Sequence, residues 1–184
     1  YNIVSFPCGN TGAQMGGWFR KEIKSVADMK GLKMRIPGFG GRIFAALGAV
    51  PQNIAGGEIY QALERGTIDA AEWVGPYDDE KFGFYKVAKN YYYPGWWEPS
   101  ATVSLYINVK AWEALPTEYR AVVEAAAAES NIRLLADYDN KNPAAMQRLI
   151  NLGAVLRAYP RDVMLAAFQA AGQIYAEESA KNPA

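Results

Sequence analysis

Short apolar runs and helical patterns alternate through most of this 184-residue chain, and this alternation constrains the fold more than any other feature. Residues 32–36 and 154–158 have the apolar character of strands, whereas the stretch after Pro116 repeats its apolar residues on one helical face. Strands that alternate with helices form sheets with parallel pairs, because each helix carries the chain back to the same end of the sheet. We therefore predict an α/β fold with one long helix from about Pro116 to about Lys141.

Glycine and proline predict where several elements end. Pro143 should kink or interrupt the long helix, because proline lacks the N–H that a helix interior needs and clashes with the preceding turn. Gly66 should close a helix over residues 57–65, since glycine readily adopts the left-handed conformation that ends helices. A last amphipathic helix is predicted over residues 161–179.

The composition excludes several classes of function. Lys and Arg together number 19, as do Asp and Glu, so the net charge is zero, which argues against a nucleic-acid-binding protein. The chain has no histidine, which removes Ser-His-Asp and Cys-His catalysis. Its single cysteine, Cys8, can form neither a disulfide framework nor a CxxC metal site. No apolar run reaches the roughly 18 residues that a membrane-spanning helix needs.

Glu72 lies near the end of the apolar run 68–74, which we predict to be a buried strand. The chain breaks directly afterwards at Gly75-Pro76, and α/β folds bind ligands outside the carboxyl ends of their strands. A buried carboxylate is costly unless a cation or strong donors lie beside it, so Glu72 is a candidate binding residue. The alternative is a structural acid that caps a helix or forms a salt bridge at a strand–helix junction.

Two further polar residues are candidates for a binding site. Arg35 ends a predicted strand, and its guanidinium could hold a carboxylate with two parallel hydrogen bonds, although a solvated arginine on an edge strand fits the same pattern. Gln14 and Trp18 flank Gly16-Gly17, where the backbone could approach a ligand closely. The alternative for Gln14 is an ordinary surface amide.

The stretch from Tyr91 to Glu98 contains five aromatic residues among eight. Such a run normally packs in a core or forms a wall between domains. It could also line a ligand cleft, because clefts are mostly apolar with a few polar anchors.

Four segments stand in the order in which they occur in a known family: GNTGAQMGGWF (9–19), LKMRIPG (32–38), GGEIYQAL (56–63) and EWVGPY (72–77). Together with the aromatic stretch that follows, they resemble the substrate-binding proteins of TRAP transporters, the DctP family. The match is nearest to the branch that binds 2-oxo acids, lactate and related monocarboxylates. The resemblance covers essentially the whole chain.

The resemblance implies a periplasmic-binding-protein-like sheet with flanking helices and one long helix. Members are extracytoplasmic, periplasmic receptors rather than enzymes, and two α/β domains close on a small organic acid. The loaded receptor delivers the acid to the TRAP membrane permease. In this branch the acid is often held together with a metal ion. The resemblance leaves the oligomeric state open, with a homodimer as one alternative.

The resemblance also implies roles for individual residues. By position, Arg35 matches the arginine that pairs with the substrate carboxylate. Gln14, Glu72 and the backbone carbonyl of Trp73 match the metal-coordinating positions, and oxygen ligands of this kind suit a hard cation, sodium or calcium. The predicted substrate-binding set has six residues: Gln14, Trp18, Arg35, Glu72, Trp73 and Tyr77.

Members of the family are longer, with a signal peptide and an N-terminal α/β region. We therefore expect residues 1–184 to be one partial substrate-binding protein, the second α/β lobe plus the long C-terminal helices, with the N-terminal lobe absent. Trp18, Trp73, Tyr77 and Trp96 should then form a partly exposed aromatic surface. The alternatives to a receptor are an acid-sensing module and a metal-dependent enzyme that acts on 2-oxo acids with Glu72 as base.

Overall fold

The computed structural model describes residues 1–181, which form two sheets and the helices around them. The strands β1 to β8 are Ile3–Asn10, Gly17–Phe19, Lys33–Arg35, Val50–Gln52, Ala70–Ala71, Asn90–Tyr93, Thr102–Asn108 and Val155–Ala158. The helices α1 to α6 are Gly38–Ala46, Gly56–Arg65, Pro76–Phe82, Val109–Glu113, Thr117–Asn151 and Arg161–Lys181. Two single 3₁₀ turns, Val26–Met29 and Phe84–Lys86, complete the regular structure of this part of the chain.

The larger sheet has six strands in the order β4-β3-β5-β2-β6-β8. Strands β3, β4 and β5 run parallel, as do β6 and β8, while β2 runs antiparallel to both of its neighbours. The predicted α/β fold with a sheet, flanking helices and one long helix is confirmed. The short strand β2 was not predicted, because three residues are too few to show an alternating pattern.

The sheet buries both of its faces, because successive side chains of a strand point to opposite sides. Phe19 and Tyr92 lie in one core cluster with apolar residues of α1 and α6. Trp18 and Tyr91, their neighbours in sequence, lie in a second cluster with residues of α2 and with Leu149 of α5. The ends of the central strands are therefore held rigidly between two packed layers.

The long helix α5 continues through Pro143 to Asn151, so the predicted interruption is wrong, whereas the alternative of a kink at Pro143 stays a prediction. Packing supplies the reason. Ala145 and Leu149, beyond the proline, are completely buried, and α5 packs against α3 along this half. Burial of these residues outweighs the loss of one helical hydrogen bond.

The predicted strand over residues 68–74 is also shorter than expected, since only Ala70–Ala71 forms ladder pairs. The residues on either side still bond to β3: the Asp69 N–H donates to the Lys33 carbonyl at 2.7 Å and the Glu72 N–H to the Arg35 carbonyl at 2.9 Å. Ile68 and Glu72 are both buried, as the sequence predicted. Gly66 ends α2 in the left-handed conformation, with φ of 73°, which confirms its predicted role.

Strands β1 and β7 form a separate antiparallel ribbon that packs on the first half of α5. The ribbon and this part of the helix share a set of large exposed apolar side chains: Ile3, Val103, Leu105, Tyr106, Tyr119, Val122, Ile132 and Leu135. None of the helices within residues 1–181 combines the length and apolarity that crossing a membrane requires.

Candidate functional site

Arg35 and Glu72 meet at the carboxyl ends of the neighbouring parallel strands β3 and β5. The Arg35 Nη1 donates to the backbone carbonyl of Glu72 at 2.7 Å and to its Oε2 at 3.2 Å. The Glu72 N–H in turn donates to the Arg35 carbonyl. The two predicted residues are thus joined by both backbone and side-chain contacts, at the edge of the sheet where α/β folds bind ligands.

The remaining contacts of Arg35 leave one side of its guanidinium free. Its Nε donates to the carbonyl of Ile54 at 3.4 Å, and its guanidinium carbon lies 4.8 Å from the centre of the Trp73 ring. No acceptor within residues 1–181 takes a hydrogen bond from Nη2. The side chain is 12% exposed, so a small anion could reach these N–H groups.

Glu72 is 2% exposed, and its pKa is raised to about 8, chiefly by burial. The nearby carboxylates of Glu98 and Asp79 contribute to this raised pKa, whereas Arg35 opposes it. Burial also lowers the pKa of Arg35, against the opposing effect of Glu72 and Glu98. One arginine therefore does not compensate the buried acids, and additional positive charge would stabilise the ionised form of Glu72.

Gln14 lies beside Glu72, although 58 residues separate them in sequence. The end of its side chain is 3.2 Å from the Glu72 Oε1. With the amide nitrogen toward Glu72, the amide donates to this oxygen and accepts from the Ala101 N–H and the Thr11 hydroxyl. With the amide oxygen toward Glu72, the nitrogen donates to Thr11 instead, and two acceptor oxygens face each other. The second arrangement is the one that a cation stabilises.

Trp73 contributes a ring and a carbonyl group. The ring packs edge-on against Phe82, with centroids 5.2 Å apart, and over Gly56, where a Cβ would lie only 2.6 Å from the ring. No hydrogen bond to the Trp73 carbonyl occurs within residues 1–181. Residues 1–181 contain no group of three or more His, Cys, Asp or Glu side chains arranged so that they could hold a metal ion. A cation here would therefore be held by a carboxylate, an amide oxygen and a carbonyl, a set that fits sodium or calcium.

Glu98 is a fourth polar residue of this site, although it was not among the predicted binding residues. The Gln14 N–H donates to the carbonyl of Pro99 at 3.0 Å, which brings the segment after the aromatic run against the Gln14 loop. Burial raises the pKa of Glu98 and Arg35 lowers it, so its carboxylate shares the electrostatic environment of Arg35 and Glu72. Its position directly after an aromatic run that could line a cleft was the only signal available in the sequence.

Within residues 1–181, neither Trp18 nor Tyr77 forms a hydrogen bond or ring contact with Arg35 or Glu72. Trp18 is fully buried and stacks on Tyr91, with centroids 3.8 Å apart, so the expectation that it would be partly exposed is wrong. The Tyr77 ring faces Lys81, whose Nζ is 3.5 Å from its centre, and contacts Tyr138 of α5. Trp73, Tyr77 and Trp96 are each partly exposed, as expected, whereas the single surface that they were expected to form stays a prediction.

Gly16 is needed for packing. The ring of Tyr159 occupies the space where a Cβ of Gly16 would be, and the Tyr159 hydroxyl donates to the Gly16 carbonyl at 2.7 Å. The aromatic run is likewise mostly structural, since Tyr91, Tyr92 and Trp97 are buried in the two core clusters.

Comparison with known proteins identifies relatives along the whole chain. Residues 1–182 match the model of the family described as "Bacterial extracellular solute-binding protein, family 7". A monocarboxylate 2-oxoacid-binding periplasmic protein of Nostoc sp. is 53% identical over 184 residues, which are 100% of this chain and 50% of the relative.

Two solved structures are similar in both sequence and fold. A TRAP transporter solute-binding protein from Bordetella bronchiseptica, with copurified calcium and picolinate, is 58% identical, with a TM-score of 0.96 over 100% of this chain and 55% of that chain. A TRAP periplasmic solute-binding protein from Pseudoalteromonas atlantica, with bound sodium and pyruvate, is 45% identical, with a TM-score of 0.94 over 99% of this chain and 56% of that chain. The chain thus spans about half the length of these relatives.

Proposed function

This chain belongs to family 7 of the bacterial extracellular solute-binding proteins, and on that premise we propose that it forms part of a periplasmic receptor for a small 2-oxo acid bound with a cation. The family resemblance inferred from the sequence motifs is confirmed, and the family and its matched members are solute-binding proteins rather than enzymes. The observation that carries the proposal is the contact between Arg35 and Glu72 beside Gln14.

In the proposed complex, Arg35 binds the carboxylate of the acid. Its Nη1 is already held by Glu72 and its Nε by Ile54, so the guanidinium cannot rotate freely and its Nη2 hydrogens have a defined direction. A planar guanidinium held in this way loses little entropy when it binds a carboxylate. Stacking on Trp73 restricts it further.

The cation would be held by the Glu72 carboxylate, the Gln14 amide oxygen and the Trp73 carbonyl, with Glu98 available as an additional carboxylate. When bound, it supplies positive charge that neutralises the buried acids and can also contact the ligand. A 2-oxo acid suits such a site, because its carboxylate and its keto oxygen can both bind one cation. Picolinate, found with calcium in the Bordetella structure, likewise has a carboxylate next to a second donor atom.

We further propose that these residues form one lobe of a two-lobe receptor. The chain spans about half the length of the matched relatives. The exposed apolar side chains of the β1–β7 ribbon and of the first half of α5 are the surface that a second lobe would cover. Delivery of the acid to a TRAP permease is part of the proposal because it is the role of the family, and a homodimer is one alternative for the oligomeric state, as in the dimer of the Bordetella protein.

Calorimetry on the full-length protein tests this function. Pyruvate should bind in the presence of calcium or sodium, and chelation together with sodium removal should abolish the binding heat. Glu72→Gln should weaken binding, whereas Arg42→Lys should leave it unchanged, because Arg42 pairs with Glu177 and Glu178 of α6. If neither pyruvate nor related 2-oxo acids bind under any cation condition, the proposal is wrong.

A further inference from the structure

Asp79 of α3 is a buried carboxylate to which the proposed binding chemistry assigns no role. Its side chain is 1% exposed and accepts hydrogen bonds from three different parts of the chain. The Tyr91 hydroxyl donates to Oδ2 at 2.6 Å, the Trp18 Nε1 donates to Oδ2 at 2.9 Å, and the Val74 N–H donates to Oδ1 at 3.4 Å. An acid this deeply buried is destabilising unless its donors are well placed.

The backbone of Val74 connects Asp79 to the two segments that carry the proposed cation ligands. Val74 directly follows Glu72 and Trp73, and its N–H bonds to Asp79. Its carbonyl accepts from the N–H of Met15 at 3.1 Å, and Met15 directly follows Gln14. Two consecutive peptide groups are thus fixed: the one between Trp73 and Val74, whose N–H bonds to Asp79, and the one between Val74 and Gly75, whose carbonyl bonds to the segment after Gln14.

The other two donors connect Asp79 to the central sheet. Trp18 belongs to β2 and Tyr91 to β6, and their rings stack with an interplanar angle of 12°. Strand β2 pairs with β5, the strand that leads into Glu72. The carboxylate thus links the sheet, the start of α3 and the loop between them.

We propose that Asp79 is a positioning residue for the cation site, whose carboxylate holds Val74 so that the oxygens of Gln14, Glu72 and Trp73 stay at the separation that a cation requires. The inference rests on the proposed function. Donors point at both carboxylate oxygens. The NH₂ group of an asparagine would therefore face at least one donor, and the hydrogen bond from that donor would be lost. Partners that orient metal ligands typically contribute about 10- to 100-fold to metal affinity.

The test is Asp79→Asn in the full-length protein, with terbium as a luminescent calcium substitute that nearby tryptophans sensitise. The variant should bind terbium and calcium about 10- to 100-fold more weakly than the wild type. Pyruvate affinity should fall at low calcium and recover at high calcium, because the ligands remain but are less well placed. Circular dichroism of the calcium-free variant should match that of the calcium-free wild type, because calcium would also restore a partly unfolded chain by mass action.

Asp78→Asn is the matched control. Asp78 neighbours Asp79 in α3, bonds to the Tyr138 hydroxyl and pairs with Lys81, but does not contact Val74. This substitution should disturb the packing of α3 on α5 and leave terbium affinity unchanged. An equal loss of terbium affinity in both variants would overturn the role assigned to Asp79.

Two further variants make every outcome decisive. If Glu72→Gln weakens terbium binding and Asp79→Asn does not, the positioning role is wrong and the proposed function stands. If neither weakens it, the proposed cation site itself is wrong.

If Asp79→Asn does not fold, terbium affinity is measured in Tyr91→Phe instead, because this substitution removes the shortest hydrogen bond to the Asp79 carboxylate. It should weaken terbium binding by a smaller factor, and unchanged binding would overturn the proposal.

Discussion

A single nitrogen of Arg35, Nη1, donates to two oxygens of Glu72, the backbone carbonyl at 2.7 Å and the carboxylate at 3.2 Å. The contact uses Nη1 of Arg35 and Oε2 of Glu72. The Nη2 of Arg35 and the Oε1 of Glu72 are therefore available to different binding partners. In the proposed receptor, the first binds the carboxylate of the ligand and the second binds the cation.

Arg35→Lys should weaken binding of a 2-oxo acid by about 1–3 kcal/mol, because lysine keeps the charge but loses the planar fork. The free energy of pyruvate binding, measured by calorimetry at saturating calcium, checks this. Arg42→Lys is the matched control, since Arg42 is partly exposed and pairs with Glu177 and Glu178 of α6. Wild-type affinity in Arg35→Lys would rule out Arg35 as the carboxylate anchor.

Glu72→Gln should weaken cation binding and acid binding together, because the substitution removes the only charged ligand among the three predicted ones. Titration of calcium in the presence and absence of pyruvate measures both effects and their coupling, which must be reciprocal. Acid affinity that persists after exhaustive chelation and sodium removal would argue against a shared cation.

Glu98→Gln should weaken calcium binding more than sodium binding. Arg35, Glu72 and Glu98 together carry one net negative charge when ionised, and calcium with a monocarboxylate brings this local charge to zero. Removal of one acid favours the monovalent ion instead. Pyruvate titrations with calcium alone and with sodium alone measure the preference. Glu22→Gln, at an exposed ion pair with Arg157, serves as the control. An unchanged calcium-to-sodium preference would place Glu98 outside the site.

Asp79 should make the wild-type protein less stable as the pH rises. Burial raises the pKa of Asp79 from 3.8 to about 6, so between these values the folded state binds more protons than the unfolded state. The stabilising effect of the protonated form is complete below about pH 4 and is lost as the pH rises through 6. This loss lowers the free energy of unfolding by about 3 kcal/mol. Asparagine does not titrate.

Urea unfolding of wild type and Asp79→Asn from pH 4 to pH 7.5 checks this prediction, because all other groups titrate in both proteins. The stability of the wild type relative to the variant should fall across this range. Parallel pH profiles would show that Asp79 does not titrate there.

The sequence predicted the class of fold and much of the candidate site. Alternating apolar patterns indicated the α/β sheet, and local chemistry indicated that Gly66 would end α2. The motif order led to the family, and four predicted residues, Gln14, Arg35, Glu72 and Trp73, lie together in the structure. These features depend on short stretches of chain, in which residue type and spacing carry the relevant physical information.

Only the tertiary structure decided which residues meet across long separations in the chain. Pro143 remains inside α5 because buried contacts beyond it outweigh a local hydrogen bond. Trp18 is buried because its partners, Tyr91 and Asp79, come from distant segments. Glu98 joins the site through the contact between Gln14 and Pro99. Desolvation and long-range contacts depend on the packed arrangement of all these segments, and no local pattern in the sequence records that arrangement.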